Sequence, residues 1–124
     1  MRAGRGNPDV AVHTGADIGQ WAGHAVGPCY AAYGNGLEGP HVVQGIANGF
    51  MAQPNADLEY RLLLAIEGGR DAGGQAHKGV RRPERSAWLC VVGRASYPEI
   101  DIRVDLHEKA VTELRRVFEA FQRQ

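Results

Sequence analysis

Hydrophobic and polar residues follow one another in patterns that change from strand-like to helical and back. Two short apolar runs, residues 21–26 and 29–33, are separated by Gly27-Pro28 and followed by Gly34-Asn35-Gly36. Glycine, proline and asparagine favour turns, so these runs predict two strands. The run Val10-Ala11-Val12 predicts a strand before them. The first third of the chain therefore reads as a β-meander.

Two helices are predicted in the middle third. Between Pro40 and Met51 apolar residues recur at helical spacing, and a proline suits the first turn of a helix. A second helix is predicted to follow Asp57, a suitable N-cap, with Leu58, Leu62 and Ile66 on its apolar face. The short connection between the two helices predicts an antiparallel pair.

The last third returns to strands and ends in a helix. Residues 75–85 are polar and basic and predict an exposed loop. The continuous apolar run 86–92 is typical of a strand buried on both faces, whereas residues 100–105 alternate as a half-exposed strand does. A final helix is predicted to start at Asp105, where Glu108 completes a capping-box pattern.

The predicted order is therefore β-β-β-α-α-β-β-α. Strands and helices come in blocks and not in alternating βαβ units, which predicts an α+β fold with a mostly antiparallel sheet covered by helices. A length of 124 residues is enough for one domain and too little for two.

Composition and charge exclude several function classes. Fourteen basic residues balance fourteen acidic ones, so the formal net charge is zero, which argues against a strongly cationic nucleic-acid binder. The N-terminus has no apolar core of a signal peptide, and no apolar run is long enough to span a bilayer. We therefore expect a cytoplasmic protein with neither a membrane nor a nucleic acid as partner.

Candidate chemistry begins with histidine and threonine. His13 follows the predicted strand 10–12, and His24, next to Gly23, interrupts the predicted strand 21–26. They are either half-buried side chains bonded to backbone or general bases and substrate donors. Thr14, next to His13, is either a turn residue or an activated nucleophile. The histidine spacings match no zinc motif, so we predict no metal site and no cofactor.

Two glycine-rich segments allow a structural and a functional interpretation. Gly34-Asn35-Gly36 is either a turn or an oxyanion hole formed by Asn35 and a backbone N–H. Asp71-Ala72-Gly73-Gly74 follows a predicted helix, so its glycines are suited to a C-cap. Neither a phosphate-binding loop nor a dinucleotide-binding pattern is present.

Charged and aromatic residues in the second half also have two interpretations. Arg81, Arg82 and Arg85 are either a solvated loop or a site that captures a carboxylate or phosphate. Arg103, with the aspartates on either side, belongs to a salt-bridged strand face or lines a cleft. Trp88, like Trp21, is predicted to be a core residue.

Several short motifs in this order resemble the domain of unknown function 1028 family. They are His13-Thr14-Gly15, Trp21-Ala22-Gly23-His24, Gly34-Asn35, Gly39-Pro40-x-Val42, Asp71-Ala72-Gly73-Gly74, Glu84-Arg85-Ser86-Ala87 and Asp101-x-Arg103-Val104-Asp105. Single motifs are weak, but the ordered series covers nearly the whole chain.

The resemblance implies a fold and a reaction class. The family is placed in the N-terminal-nucleophile hydrolase superfamily, which implies an αββα sandwich and amide-bond hydrolysis of an unknown small-molecule substrate. It implies catalytic or orienting roles for His13, Thr14, His24 and Asn35. It implies substrate binding by a second set of residues: Gly34, Asp71, Gly73, Gly74, Arg85 and Arg103.

The resemblance also implies a single domain over residues 1–124 that is incomplete at its N-terminus. We expect the nucleophile to lie in an absent N-terminal half, or, in a variant, Thr14 to be exposed by cleavage before it. Half a sandwich leaves a sheet edge open, so we expect a homo-oligomer, pairing with the missing half, or poor stability. The alternative function is a non-catalytic module for small-anion binding or subunit assembly.

Overall fold

The computed structural model describes residues 9–18 and 20–124. Over those residues three helices and six strands follow the order β-β-α-α-β-β-β-β-α. They are β1 (Ala22–Gly27), β2 (Tyr30–Asn35), α1 (Pro40–Met51), α2 (Leu58–Asp71), β3 (Gln75–His77), β4 (Val80–Arg82), β5 (Ala87–Val91), β6 (Ile100–Val104) and α3 (Ala110–Gln122). The structure is thus mixed α+β, as the block-like order of elements predicts.

The helices α1 and α2 form an antiparallel pair with a close backbone approach. A Cβ atom added at Gly45 would lie 2.6 Å from the carbonyl oxygen of Gly68, so only glycine fits this crossing. The predicted helix starts are confirmed: Pro40 opens α1, and Asp57 is the N-cap of α2. The pair forms a platform on which the strands lie.

The strands pair as three separate antiparallel hairpin-like sheets, β1–β2, β3–β4 and β5–β6. The hairpin β1–β2 buries Ala32 against Val43 and Ala47 of α1. The β5–β6 sheet buries its apolar face against α2 and α3, with Leu89, Ile102 and other apolar side chains in the main core. Each of these two sheets therefore has helices on one face only.

Two predictions about strands are wrong. Residues 10–12 form no strand, because among the described residues no other segment pairs with them. The predicted loop 75–85 contains the β3–β4 hairpin, in which His77 faces Val80 across the two-residue turn Lys78-Gly79. Both turn residues have positive φ, 51° and 79°, as a type I′ hairpin requires. Lysine rarely adopts this conformation, so the sequence Lys78-Gly79 gives only a weak indication of the turn.

Two further predictions concern the last third. The strand β5 is not buried on both faces, because Trp88 is 60% exposed and so is not a core residue. The final helix begins at Ala110 and not at Asp105. The amides of His107 and Ala110 donate to the carbonyls of Arg85 and Glu84, at 2.9 and 3.4 Å, which holds the chain before Ala110 out of the helix.

None of the described helices combines the length and the apolar character that crossing a bilayer would need.

Candidate active site

Thr14 and His24 are in contact, although they are ten positions apart in the sequence. Thr14 Oγ1 lies 2.6 Å from His24 Nδ1, which is hydrogen-bond distance. His24 is exposed on β1, and Thr14 is half-buried in the segment before β1. When Nδ1 carries no proton, the threonine hydroxyl donates to it, which is the arrangement of a nucleophile and its base.

Two further side chains share the face of the hairpin on which His24 lies. The strand register places His24 opposite Tyr33, and Asn35 opposite Ala22. Since alternate residues of a strand point to the same side, His24, Tyr33 and Asn35 lie on one face. This face points away from α1, because Ala32 on the other face is buried against that helix. The three side chains are exposed, Tyr33 at 68%.

The segment Gly34-Asn35-Gly36 combines the end of a strand with a turn. Gly34 and Asn35 are the last residues of β2, and Gly34 pairs with Gly23. Gly36 has a φ of 63° and turns the chain out of the strand, as the turn interpretation predicts. Asn35 is therefore held by a strand up to the point where the chain turns.

The β5–β6 sheet also presents polar and aromatic side chains on the face away from its helices. Trp88 Nε1 donates to Asp101 Oδ1 at 2.8 Å. Arg103 lies opposite Trp88 in the register and forms a 3.6 Å ion pair with Asp105. Leu89, on the opposite face, is buried in the core. Both sheets therefore carry their candidate binding side chains on helix-free faces.

None of the other described residues predicted from the sequence forms a side-chain hydrogen bond with Thr14 or His24. His13 is exposed and forms no hydrogen bond to another described residue. Asp71 is the exposed last residue of α2 and accepts a 2.9 Å bond from Arg70. Arg103 lines a hollow beside Trp88, and Asp71 is not among the residues that line this hollow. The structure therefore does not bring Asp71 and Arg103 into one pocket.

The three arginines near β4 do not converge on one site. Arg81 forms a 3.5 Å ion pair with Glu84. Arg85 is exposed and lines a separate hollow with Leu106 and Glu108. Arg82 is exposed on β4. No common anion-binding pocket is formed by these three side chains.

The glycines that follow α2 end the helix. Gly73 and Gly74 have φ values of 128° and 57°, and the amide of Gly74 donates to the Gly69 carbonyl at 3.0 Å. The Gly74 carbonyl accepts a 2.9 Å bond from the amide of Glu38. These contacts agree with the C-cap interpretation and join the end of α2 to the residues that precede α1.

The clearest charge effects lie on α3. Hydrogen bonds to Glu67 raise the pKa of the Arg115 guanidinium, against a smaller opposing effect of burial. The hydrogen bond from Arg116 lowers the pKa of Glu113. The Arg115–Glu67 pair joins α3 to α2, whereas Glu113 and Arg116 both lie on α3. Within residues 9–18 and 20–124, no three His, Cys, Asp or Glu side chains are arranged to hold a metal ion.

Sequence reasoning placed Asp101 on one strand face with Arg103 but missed Tyr33 and Trp88 as members of the helix-free faces. For Tyr33 a usable signal was present, because it lies two residues before Asn35. A period of two places such pairs on the same side of a strand. For Trp88, the assumption of a strand buried on both faces concealed its exposure.

Comparison with known proteins gives one finding. The model of a family of unknown function, DUF1028, matches residues 4–114, which is most of the chain. Neither the curated proteins nor the solved structures gave a match.

Proposed function

Since this chain belongs to the family of unknown function DUF1028, whose description states no reaction, we propose a reaction from the site itself: hydrolysis of an amide bond in a small-molecule substrate. The observation that carries the proposal is the 2.6 Å hydrogen bond between Thr14 Oγ1 and His24 Nδ1. A hydroxyl bonded to an imidazole is the pairing that activates a weak oxygen nucleophile.

The proposed reaction proceeds in two steps. Thr14 Oγ1 adds to the substrate carbonyl carbon while its proton passes to His24 Nδ1. The amide C–N bond then breaks, and the imidazolium returns this proton to the leaving amine. Water, deprotonated by the same imidazole, hydrolyses the threonyl ester, releases the acid and restores the hydroxyl. The exposure of His24 leaves room for a substrate over this face.

Asn35 is the proposed source of oxyanion stabilisation. Its exposed side chain shares the sheet face with His24 and carries an N–H₂ donor. A donor aimed at the developing oxyanion is worth roughly 3 kcal/mol of transition-state stabilisation. Tyr33, opposite His24, would pack against the substrate body.

The proposed fold context is half of an αββα sandwich. Both β1–β2 and β5–β6 are covered by helices on one face and expose aromatic side chains, Tyr33 and Trp88, on the other. A sheet with one bare face of this kind is suited to packing against a second sheet. The substrate cleft would then lie between the two sheets, with the helix-free faces as one wall.

The test uses a fluorophosphonate probe, which labels activated hydroxyls, followed by peptide mass spectrometry. We expect the label on Thr14, its loss in Thr14→Val, and its retention in Thr14→Ser. His24→Gln should slow labelling by about 10²-fold or more. The matched control is Thr112→Val, because Thr112 is also a hydroxyl residue in a side-chain hydrogen bond, with Arg70 at 3.2 Å.

The result also decides whether Thr14 is the nucleophile or only orients the substrate. Labelling of Thr14 at the rate of Thr112, or at the same rate in heat-denatured protein, would overturn the role of Thr14. If intact-mass measurement shows a chain cut before Thr14, its new α-amino group and not His24 would be the base. In that case His24→Gln would leave the labelling rate unchanged.

A further inference from the structure

A long apolar groove lies between β5 and the segment that follows β2. Its volume is about 570 Å³. The helices α1 and α2 form its floor, with Val42, Ile46, Leu62 and Ile66 as the main side chains. Leu37 lines one side, and the consecutive residues 86–90 line the other. Arg70 and Glu84 carry opposite charges at its border, whereas the floor is uncharged.

The side of the groove formed by residues 86–90 is the open edge of a sheet. Within the described residues, β5 pairs with β6 along one edge and with no strand along the other. Side chains of a strand alternate between faces, so a run of five consecutive lining residues means that the strand presents its edge to the groove. Backbone amides and carbonyls on such an edge are a template for another strand.

We propose that this groove binds an extended segment of a partner polypeptide, which adds to β5 as a strand and places apolar side chains on the floor. A strand that spans residues 86–90 needs about five residues, or roughly 17 Å. The residues of the bound strand that face the floor would be aliphatic, because the floor is apolar. The backbone along one edge of that strand would form hydrogen bonds with β5. This mode of recognition takes affinity from main-chain hydrogen bonds and specificity from alternate side chains.

The shape of the groove argues against a second copy of this chain as the occupant. The floor helices take the place directly beneath the bound strand. In a second copy, β1 and β2 already carry α1 on one face, and β5 and β6 carry α2 and α3. Those helices would collide with the floor. A copy turned over would instead place its polar helix-free face on the apolar floor. The strands β3 and β4 are only three residues long. A segment with no helix of its own on that face is what the groove accommodates.

The test uses a synthetic peptide that alternates threonine with valine and isoleucine between terminal lysines, added to the whole protein. We expect those backbone amides of residues 86–90 that point away from β6 to exchange with deuterium at least tenfold more slowly when the peptide is bound. The control peptide has the same composition with its aliphatic residues placed together. Two further peptides carry N-methyl groups on alternate amides, one set for each edge of the strand. One of the two should bind at least tenfold more weakly than the other.

A variant pair tests the floor. Leu62→Lys adds a charge to the floor and should weaken binding of the alternating peptide at least tenfold. Leu58→Lys is the matched control, one turn earlier on α2 and already exposed. The methylated peptides keep the test valid if Leu62→Lys fails to fold. Equal binding of both methylated peptides, equal binding of the clustered peptide, or no binding would overturn the proposal. A dimer that the peptide dissociates would assign the groove to a second copy instead.

Discussion

Trp88 donates its indole N–H to Asp101 at 2.8 Å, across β5 and β6 and on the sheet face that no helix covers. The indole is 60% exposed, whereas Trp21 is partly buried against α1. Trp88→Phe should therefore shift the tryptophan emission maximum to shorter wavelength, because only the more buried indole remains. The free energy of unfolding should change by less than about 1 kcal/mol, since the lost hydrogen bond is solvent-accessible.

The control for Trp88 is Asp101→Asn, which keeps an oxygen acceptor for the indole. Its emission spectrum should match that of the parent protein. An unchanged spectrum in Trp88→Phe would mean that Trp88 is covered in solution. That outcome would contradict the exposed sheet face.

Arg115 joins α3 to α2 through Glu67. Its Nε and Nη2 atoms donate to the two carboxylate oxygens at 2.6 and 2.9 Å, and the Glu67 side chain is only 13% exposed. Arg115→Met keeps the apolar stem but leaves this carboxylate without its partner. We expect a loss of about 2 kcal/mol in the free energy of unfolding, measured by urea denaturation.

Arg116→Met is the matched control for Arg115→Met. Arg116 is the next residue on α3, and its side chain is 67% exposed beside Glu113. Its loss should cost much less stability, because water replaces the missing partner. Equal effects of the two substitutions would contradict the special role of the bond to Glu67.

Gly45 stands where α1 crosses α2, so an added methyl group would press on the Gly68 carbonyl oxygen. At an open helical site, Gly→Ala stabilises a helix by about 1 kcal/mol. Here overpacking should reverse the sign and destabilise the protein by about 1–2 kcal/mol, seen as a lower Tm. Gly79→Ala serves as a comparison. An added Cβ there has open space, so any loss of stability would come from the backbone φ of 79° and not from overpacking. A higher Tm for Gly45→Ala would contradict the close crossing.

The bond from Arg116 lowers the pKa of Glu113 below its ordinary value of 4.5. A carboxylate with a lowered pKa in the folded state contributes stability above its ordinary pKa. That contribution is lost as the pH falls through the lowered value. The urea midpoint of Glu113→Gln should therefore lie below that of the parent at about pH 7 and approach it as the pH falls below the ordinary pKa of 4.5. Glu108→Gln is the control, because it removes an exposed carboxylate before α3 and leaves the Glu113–Arg116 pair intact.

The sequence predicted the helices of the platform well because their signals are local. Pro40 and Asp57 mark the helix starts, and the apolar spacing sets the buried face. The start of α3 was wrong because a tertiary contact decides it. The carbonyls of Glu84 and Arg85 take the amides that a longer helix would have used.

For the candidate site, residue types could be predicted but their neighbours could not. Thr14 and His24 are reasonable candidates from residue chemistry alone, yet their contact depends on how the chain folds back before β1. The separation of Asp71 from Arg103 depends in the same way on the path of the chain. Hydrophobic periodicity identifies buried faces and carries no information on which polar residues meet.

Arg61 closes the junction between the two platform helices. Its Nε donates to the Phe50 carbonyl at 3.0 Å, and its guanidinium lies 4.0 Å from the centre of the Phe50 ring. Contacts from α2 thus hold the end of α1, and residues 52–55 of the connecting segment are exposed. That segment is therefore a natural place to insert foreign sequence, such as an affinity tag or a fluorophore site.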